Sequence, residues 1–325
     1  MAKHNHGPGA SLARQYVTAS PHASANGIAR ELCRDHPCAF ESHARALSRV
    51  IACKKRLGYK PKRWVGGPKL NLPKSKAESW EPIQLKSPCT VLSLSDIHIP
   101  FHDEQAIEVA VKHAKKNHKI TALLLNGDTC DFYSLSRFET QVKKRDLNQE
   151  LYAVRALLVW LAKQFPKARR VFKWGNHEEW WSRYMNGPAE RLANCEFAQL
   201  GTALDLKKHG FEEVRDNIIM AGELPILHGH EMKNSSGVNP ARSAFLKTNH
   251  SSLSGHLHRT SSHAESDIFH NEVMTWTQGC LCGRRPEYAR INKWNLGFAV
   301  VEVAKDKSYN VFNYRIGEKY AVRAA

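Results

Sequence analysis

Apolar residues along the chain change their spacing twice, and the changes divide it into regions of different character. Residues 1–22 are rich in His, Gly, Ser and Ala without any repeat, which predicts a disordered tail. From 23 to 58 two segments with helical spacing follow, NGIARELCRDH and FESHARALSRVIACKKRLG, separated by Pro37. In the second, Leu47, Val50, Ile51 and Leu57 form an apolar stripe. Arg45, Arg49 and Arg56 fall together on another face, and Gly58 stands where a C-cap is expected. Residues 59–87 are rich in Pro and Lys and predict a semi-extended linker.

Beyond residue 88 the apolar positions condense into short runs bounded by turn residues. CTVLSLS (89–95), ITALLLN (120–126) and RVFKW (170–174) alternate with helix-like segments at 103–117 and 149–165. Strand, helix, strand, helix, strand implies a parallel sheet at the core of an α/β domain. LPIL (224–227), HSSLSG (250–255), EVMTWTQG (272–279), GFAVVEV (297–303) and YNVFNYRI (309–316) predict a more strand-rich second half. The last residues, 319–325, read as a C-terminal tail.

Composition narrows the class. With 42% hydrophobic and 24% charged residues the 325-residue chain has the balance of a soluble globular protein. It has no apolar run near the ~20 residues needed to cross a bilayer and no apolar leader at its start, so a cytoplasmic protein with no membrane partner is expected. Eight cysteines in such a chain read as free thiols or ligands rather than a disulfide framework. Cys33, Cys38, His43 and Cys53 are too irregularly spaced for a standard zinc knuckle, and packing thiols are the favoured reading.

The net charge of +17 is uneven. Residues 1–88 hold sixteen Lys/Arg against five Asp/Glu and so carry +11 of it. A basic extension of this kind suits a polyanion, with nucleic acid as the expected partner through Arg45, Arg49 and Arg56. Solubility alone is the competing explanation, and a helix pair packed as a simple appendage competes with a helix-turn-helix-like module. Oligomeric state is not legible.

The candidate chemistry sits where apolar runs end. The first run leads into Asp96-Ile97-His98, the second into Gly127-Asp128 with Asp131 three residues on, and the third into Gly175-Asn176-His177-Glu178. LPIL leads into His228-Gly229-His230, and HSSLS into Gly255-His256-Leu257-His258. Carboxyl ends of strands are where α/β sheets bind ligands, so five such ends can converge on one crevice. The donors are Asp, Asn and His without thiolate, a set suited to Mn²⁺, Fe²⁺ or Zn²⁺. Seven candidate ligands exceed what one ion takes, whereas two ions sharing a carboxylate would use them all. Each block alone is a common turn or loop; their joint occurrence in this order is what chance does not readily supply.

These blocks resemble the signature of the calcineurin-like metallophosphoesterases: Asp-x-His, Gly-Asp with a following Asp, Gly-Asn-His-Asp/Glu, a strand-end His and Gly-His-x-His. The resemblance spans about 88–316. DIHIPFHD, GCLCGRRPEY and KWNLGF are similar to phage and prophage members, for which the compartment would be the host cytoplasm. The family implies a four-layer αββα sandwich of two mixed sheets flanked by helices over 88–318, here with a small helical N-terminal extension. It implies two divalent ions, Mn²⁺ foremost: Asp96, His98 and His258 on one, Asn176, His228 and His256 on the other, Asp128 bridging. A hydroxide bridging the ions would attack phosphorus in line, with His177 as general acid and the Asp131 carboxylate orienting it.

His230 is assigned to an outer or substrate-side role. Trp180, Trp181 and Tyr184 recur at helical spacing and are assigned to packing ahead of base stacking. Arg284, Arg285, Tyr288, Arg290 and Lys293 form a basic loop, of which Arg284 and Arg285 are substrate-binding candidates. Where the family's phosphoprotein phosphatases carry arginines, this chain has Phe132 and Trp174. That departure moves the expected substrate towards nucleic acid or a nucleotide, cut by a phosphodiesterase or nuclease. A phosphomonoesterase acting on a small molecule or phosphoprotein is the alternative, and a nucleic-acid-binding protein led by its basic N-terminal region is the alternative of another class.

Overall fold

The computed structural model describes residues 8–59, 72–77, 79–136, 141, 146–233, 237–266, 268–287 and 289–325. They form two compact units, divided after Ala77. In the first, helices α1 (Pro8–Ala19), α2 (Ala25–Asp35) and α3 (His43–Arg56) enclose a small core of Ala13, Val17, Ile28, Leu32, Ala46 and Val50. Ser24 and Ser42 cap α2 and α3 by accepting from Gly27 N and Arg45 N. Helix α1 corrects the expectation of a disordered tail over 1–22, of which 1–7 lie outside the described residues. Leu12, Ala13, Tyr16 and Val17 have helical spacing, and the small side chains among them obscured the stripe. The apolar stripe of α3 is also rotated from expectation: Ala46 and Val50 are buried, whereas Ile51 is 52% exposed. Arg45, Arg49 and Arg56 are exposed, and Arg45 pairs with Glu41 at 2.9 Å.

The second unit holds two mixed sheets. A six-stranded sheet runs β1 (Ile83–Leu85), β6 (Ile219–Ala221), β7 (Leu224–Leu227), β8 (Ser252–Ser254), β10 (Glu272–Thr277), β9 (Ser261–Ser266). A seven-stranded sheet runs β13 (Val322–Ala324), β12 (Tyr309–Ile316), β11 (Leu296–Val303), β2 (Cys89–Leu94), β3 (Ala122–Asn126), β4 (Arg169–Lys173), β5 (Phe211–Val214). Strands β2 to β5 are mutually parallel, and β11 to β13 add antiparallel pairs.

Alternate residues of the buried strands face different layers. Val91, Leu124, Val171 and Val301 pack between the sheets against Ile219, Leu224, Ile226 and Leu253. On the other face, Leu92, Leu94, Leu123, Leu125 and Phe172 meet the apolar sides of α4 (Glu104–Asn117) and α5 (Leu147–Gln164). The outer face of the six-stranded sheet is covered by the helix Pro240–Thr248, where Thr275 Oγ1 donates to Ala241 O at 2.7 Å. Helix, sheet, sheet, helix is the four-layer architecture expected from the sequence, and truncating an interior leucine such as Leu124 to Ala would cost ~2–5 kcal/mol.

Two further boundaries differ from expectation. Part of the linker over 59–87 is a strand, since β1 pairs in parallel with β6; residues 60–71 and 78 lie outside the described residues. Residues 319–325 are not a free tail, because β13 pairs with β12 at the sheet edge. Three-residue strands carry too little alternation to be read from sequence. No described helix is long and apolar enough to cross a membrane.

Candidate metal centre

Strands β2, β3, β4, β7 and β8 each hand over at their carboxyl ends to one or two of the candidate ligands, and the chain there leaves ordinary backbone geometry. Asp96, His98, Asp128, His256 and His258 all have left-handed φ, between 51° and 66°. A non-glycine residue in that region costs roughly 1 kcal/mol or more, and five together mark a site held by its surroundings. Two glycines permit the close approach. A Cβ at Gly127 would collide with the His228 ring, and one at Gly175 with the Asp128 carboxylate.

The side chains of these residues converge. His258 Nε2 lies 3.1 Å from Asp96 Oδ1 and 3.2 Å from His98 Nε2. His228 Nε2 lies 3.2 Å from Asp128 Oδ2, which is 3.7 Å from His98 Nε2. Ligand-type atoms of Asp96, His98 and Asp128 fall within 4.8 Å of one another, as do those of Asp128, His228 and His256. Asp128 belongs to both groups. Asn176 opens helix α6 (Asn176–Asn186), and its Oδ1 is buried without a hydrogen-bond partner. Cys33, Cys38, His43 and Cys53 form no such group among the described residues.

Protons are committed on the far side of the rings. His228 Nδ1 donates to Asn126 O at 2.7 Å, which makes Nε2 the nitrogen turned to the interior. That atom faces the Asp128 carboxylate at close range yet makes no hydrogen bond. His98 Nδ1 donates to Asp131 Oδ1 at 2.9 Å, so its Nε2 is likewise the nitrogen turned to the interior. Outward N–H groups fixed by a carbonyl or carboxylate are the arrangement that metal-ligating imidazoles use. The donor set therefore fits divalent cations.

The field of the site favours positive charge. Burial opposes an imidazolium at His98, yet the Asp131 hydrogen bond and the Asp128 charge raise it to about 9. At His228 burial is likewise outweighed by Asp128, and the ring is pushed up to about 10. Burial also works against the Asp96 carboxylate, but His258 holds it at about 2. Asp128 is held well below the usual range by His228 and His177 despite its burial. Burial, with the positive charge of His228, pulls His256 down to about 4.

His177 forms a further group of ligand-type atoms with His98 and Asp131, as Cys282 does with His98 and His258. Its backbone N–H donates to Asp128 Oδ1 at 3.0 Å, and its Nδ1 donates to Asp131 O at 2.6 Å. Burial lowers its pKa, with Asp128 opposing. The expectation that the Asp131 carboxylate orients His177 needs revision. That carboxylate bonds His98 and stays 3.8 Å from His177 Nδ1, while the Asp131 carbonyl orients His177. His230 bonds Glu179 at 2.9 Å and does not join the ligand groups.

Several supporting residues were not legible as such. Glu178, 0% exposed, accepts from the N–H groups of Gly175 (2.8 Å), Asp128 (2.9 Å) and Cys130 (2.9 Å), tying the β3 and β4 loops together. Its place in the first turn of a helix was the available signal, and it pointed only to a capping role. Lys173, also 0% exposed, pairs with Glu231 at 3.0 Å, and Glu231 accepts from His228 N and Gly229 N. Burial disfavours the Glu231 carboxylate, but Lys173 holds it at about 2. This pair fixes the turn that carries His228. Of the helical aromatics, Trp181 packs on Phe132 and donates to Ala198 O, as expected of core. Trp180 instead stacks on His177 at 4.0 Å, and Tyr184 is 38% exposed. Arg284 and Arg285 line a cleft beside Trp294, whose ring meets that of His258 at 4.0 Å. Tyr288 lies outside the described residues.

No family model matches the chain, and no curated protein matches it in sequence. Among solved structures it is similar to a single mutant of Vps29 from Entamoeba histolytica, with 13% identity over 73% of this chain and 97% of that one. The TM-score of that pair is 0.38.

Proposed function

We propose that the chain is a metal-dependent hydrolase of phosphoesters, acting on nucleic acid or a nucleotide. The observation that carries this reading is the buried convergence of Asp, Asn and His side chains, in which His98 and His228 commit their Nδ1–H groups behind them and turn Nε2 inward. Two divalent ions held there, with Mn²⁺ foremost and Fe²⁺ or Zn²⁺ as alternatives, would supply Lewis-acid activation of water and neutralise charge developing at phosphorus. Asp96, His98 and His258 would hold one ion and Asn176, His228 and His256 the other, with Asp128 shared.

The protein's own groups do the rest. Ser95 Oγ–H and the His256 N–H fix the Asp96 carboxylate, at 2.6 and 2.9 Å. Asp131 and the Asn126 carbonyl set the tautomers of His98 and His228. With Nδ1 committed to Asp131 O, His177 exchanges protons at Nε2. Its burial makes an imidazolium there a readier donor to a departing alkoxide than a solvated one. The basic exposed face of α3, with Arg45, Arg49 and Arg56, supports nucleic-acid binding by the first unit, which the tether would convert into local concentration of substrate.

The test is metal analysis of purified protein together with turnover of bis-p-nitrophenyl phosphate, p-nitrophenyl phosphate and labelled DNA in Mn²⁺. Stoichiometric divalent metal and hydrolysis abolished by Asp128→Asn are expected. A protein that takes up no divalent metal and hydrolyses none of the three refutes the proposal.

A further inference from the structure

Two clefts open next to the ligand groups, and they differ in character. The first, of about 1140 Å³, is lined by Arg284, Arg285, Arg290 and Trp294. It adjoins the first ligand set through Trp294 against His258 and through Cys282, whose Sγ is 4.0 Å from His258 Nδ1 at the start of the arginine loop. None of the three guanidinium groups has an ion-pair or hydrogen-bond partner among the described residues. The acidic groups of this cleft are engaged elsewhere. Asp103 caps α4 and accepts from Tyr320, and Glu287 accepts from Tyr133 and Gln141. Neutral donors leave both carboxylates charged, so three guanidinium groups face two carboxylates and the cleft keeps an excess of positive charge.

The second cleft, of about 680 Å³, includes Asn176 and His256 of the other ligand set. Its cations are largely spoken for, since Arg183 pairs with Glu179 and Arg215 lies over Trp174 at 4.2 Å. What distinguishes it is Trp180, which stacks on His177 and lines the cleft. An aromatic wall beside the proposed proton donor suits a planar group attached to the departing oxygen.

We infer that the centre takes an internal phosphodiester of a single nucleic-acid strand: Arg284, Arg285 and Arg290 hold the backbone phosphates on one side of the scissile bond, and Trp180 meets a base on the other. A phosphorus between the two ligand sets has a cleft at each, so both ester arms are accommodated, whereas a monoester would leave one cleft unused. The inference rests on the proposed hydrolytic reading and names its substrate.

The experiment compares full-length wild type with the triple variant Arg284→Ala/Arg285→Ala/Arg290→Ala in Mn²⁺, on a single-stranded oligonucleotide and on bis-p-nitrophenyl phosphate, which has no backbone to bind. The ratio of kcat/KM for the oligonucleotide to that for the small diester should fall at least about tenfold, through KM. The salt dependence of KM should become shallower, by about two in log–log slope for three lost contacts. Trp180→Ala should lower the same ratio and Trp180→Phe restore it. An unchanged ratio in the triple variant overturns the inference, as does wild type that cuts the small diester and spares the oligonucleotide. Inorganic polyphosphate of matched charge that competes as well as the oligonucleotide overturns the assignment to nucleic acid. If neither substrate turns over, the hydrolytic proposal has failed. Oligonucleotide anisotropy in EDTA then decides this one, equal affinity of wild type and triple variant refuting it.

Discussion

Replacing Glu178 by Gln tests whether the loops of the centre are held together from behind. The carboxylate takes Asp128 N and Gly175 N on Oε2 and Cys130 N on Oε1, all three bonds between 2.8 and 2.9 Å, in a fully buried position. A glutamine keeps one acceptor oxygen and turns an NH₂ group towards a backbone N–H. If the oxygen stays with Asp128 and Gly175, Cys130 N is stranded, at a cost of about 1–3 kcal/mol. The two remaining bonds also lose the assistance of charge. Working the other way, burial and the charge of Asp128 raise the pKa of Glu178, and glutamine relieves that repulsion. The balance is a net loss of about 2 kcal/mol, which in a unit of this size lowers Tm by roughly 4–8 °C. The loops concerned carry Asp128 and Asn176, so metal affinity should fall about 10–100-fold as well. Scanning calorimetry and titration with Mn²⁺ against a competing chelator would measure both. A variant that melts within a degree of wild type and binds metal equally well would refute this account of Glu178.

His177→Ala should lower kcat by about 10²–10⁴ while leaving metal content intact, as measured by turnover and elemental analysis; lost metal would instead make His177 a ligand. Asp131→Ala removes the partner of His98 Nδ1 and should weaken metal binding about 10–100-fold by chelator competition, an effect a carboxylate acting only on His177 would not produce. In chelator-treated protein His98 and His228 have folded pKa values raised to about 9 and about 10, above the ordinary 6.5. Their contribution to stability is full below about pH 6.5 and is lost as pH rises through 9 to 10, so urea midpoints should fall across that window. Metal uptake near pH 7.5 should release protons, which a weakly buffered titration would detect. Reversing Arg45, Arg49 and Arg56 to Glu should weaken DNA retention and flatten its salt dependence by about 0.9 per lost phosphate contact; an unchanged slope would make α3 a structural helix.

Local pattern was enough to set out the parallel core, the alternation of strands and helices from 89 to 174, and which strand ends carry Asp, Asn and His. Those features are local: apolar runs of five or six residues, helical spacing over three turns, and polar blocks directly behind them. It also placed five polar blocks behind five strands, while the choice of seven ligands among their residues came from the resemblance to a known family. Short or weakly patterned elements escaped it. β1, β13 and α1 depend on partners elsewhere in the chain, or on alanines that do not announce a stripe. Tertiary contacts settled that Asp131 gives its carboxylate to His98, 33 residues away, and its carbonyl to His177, 46 residues away. They alone separated Trp180 from Trp181, neighbours with the same chemistry, one against His177 and the other in the core. They alone made Glu178 the tie between two loops, since its donors lie up to 50 residues away along the chain. Hydrogen-bond partners and burial are set by contacts between distant segments, and no local pattern encodes them.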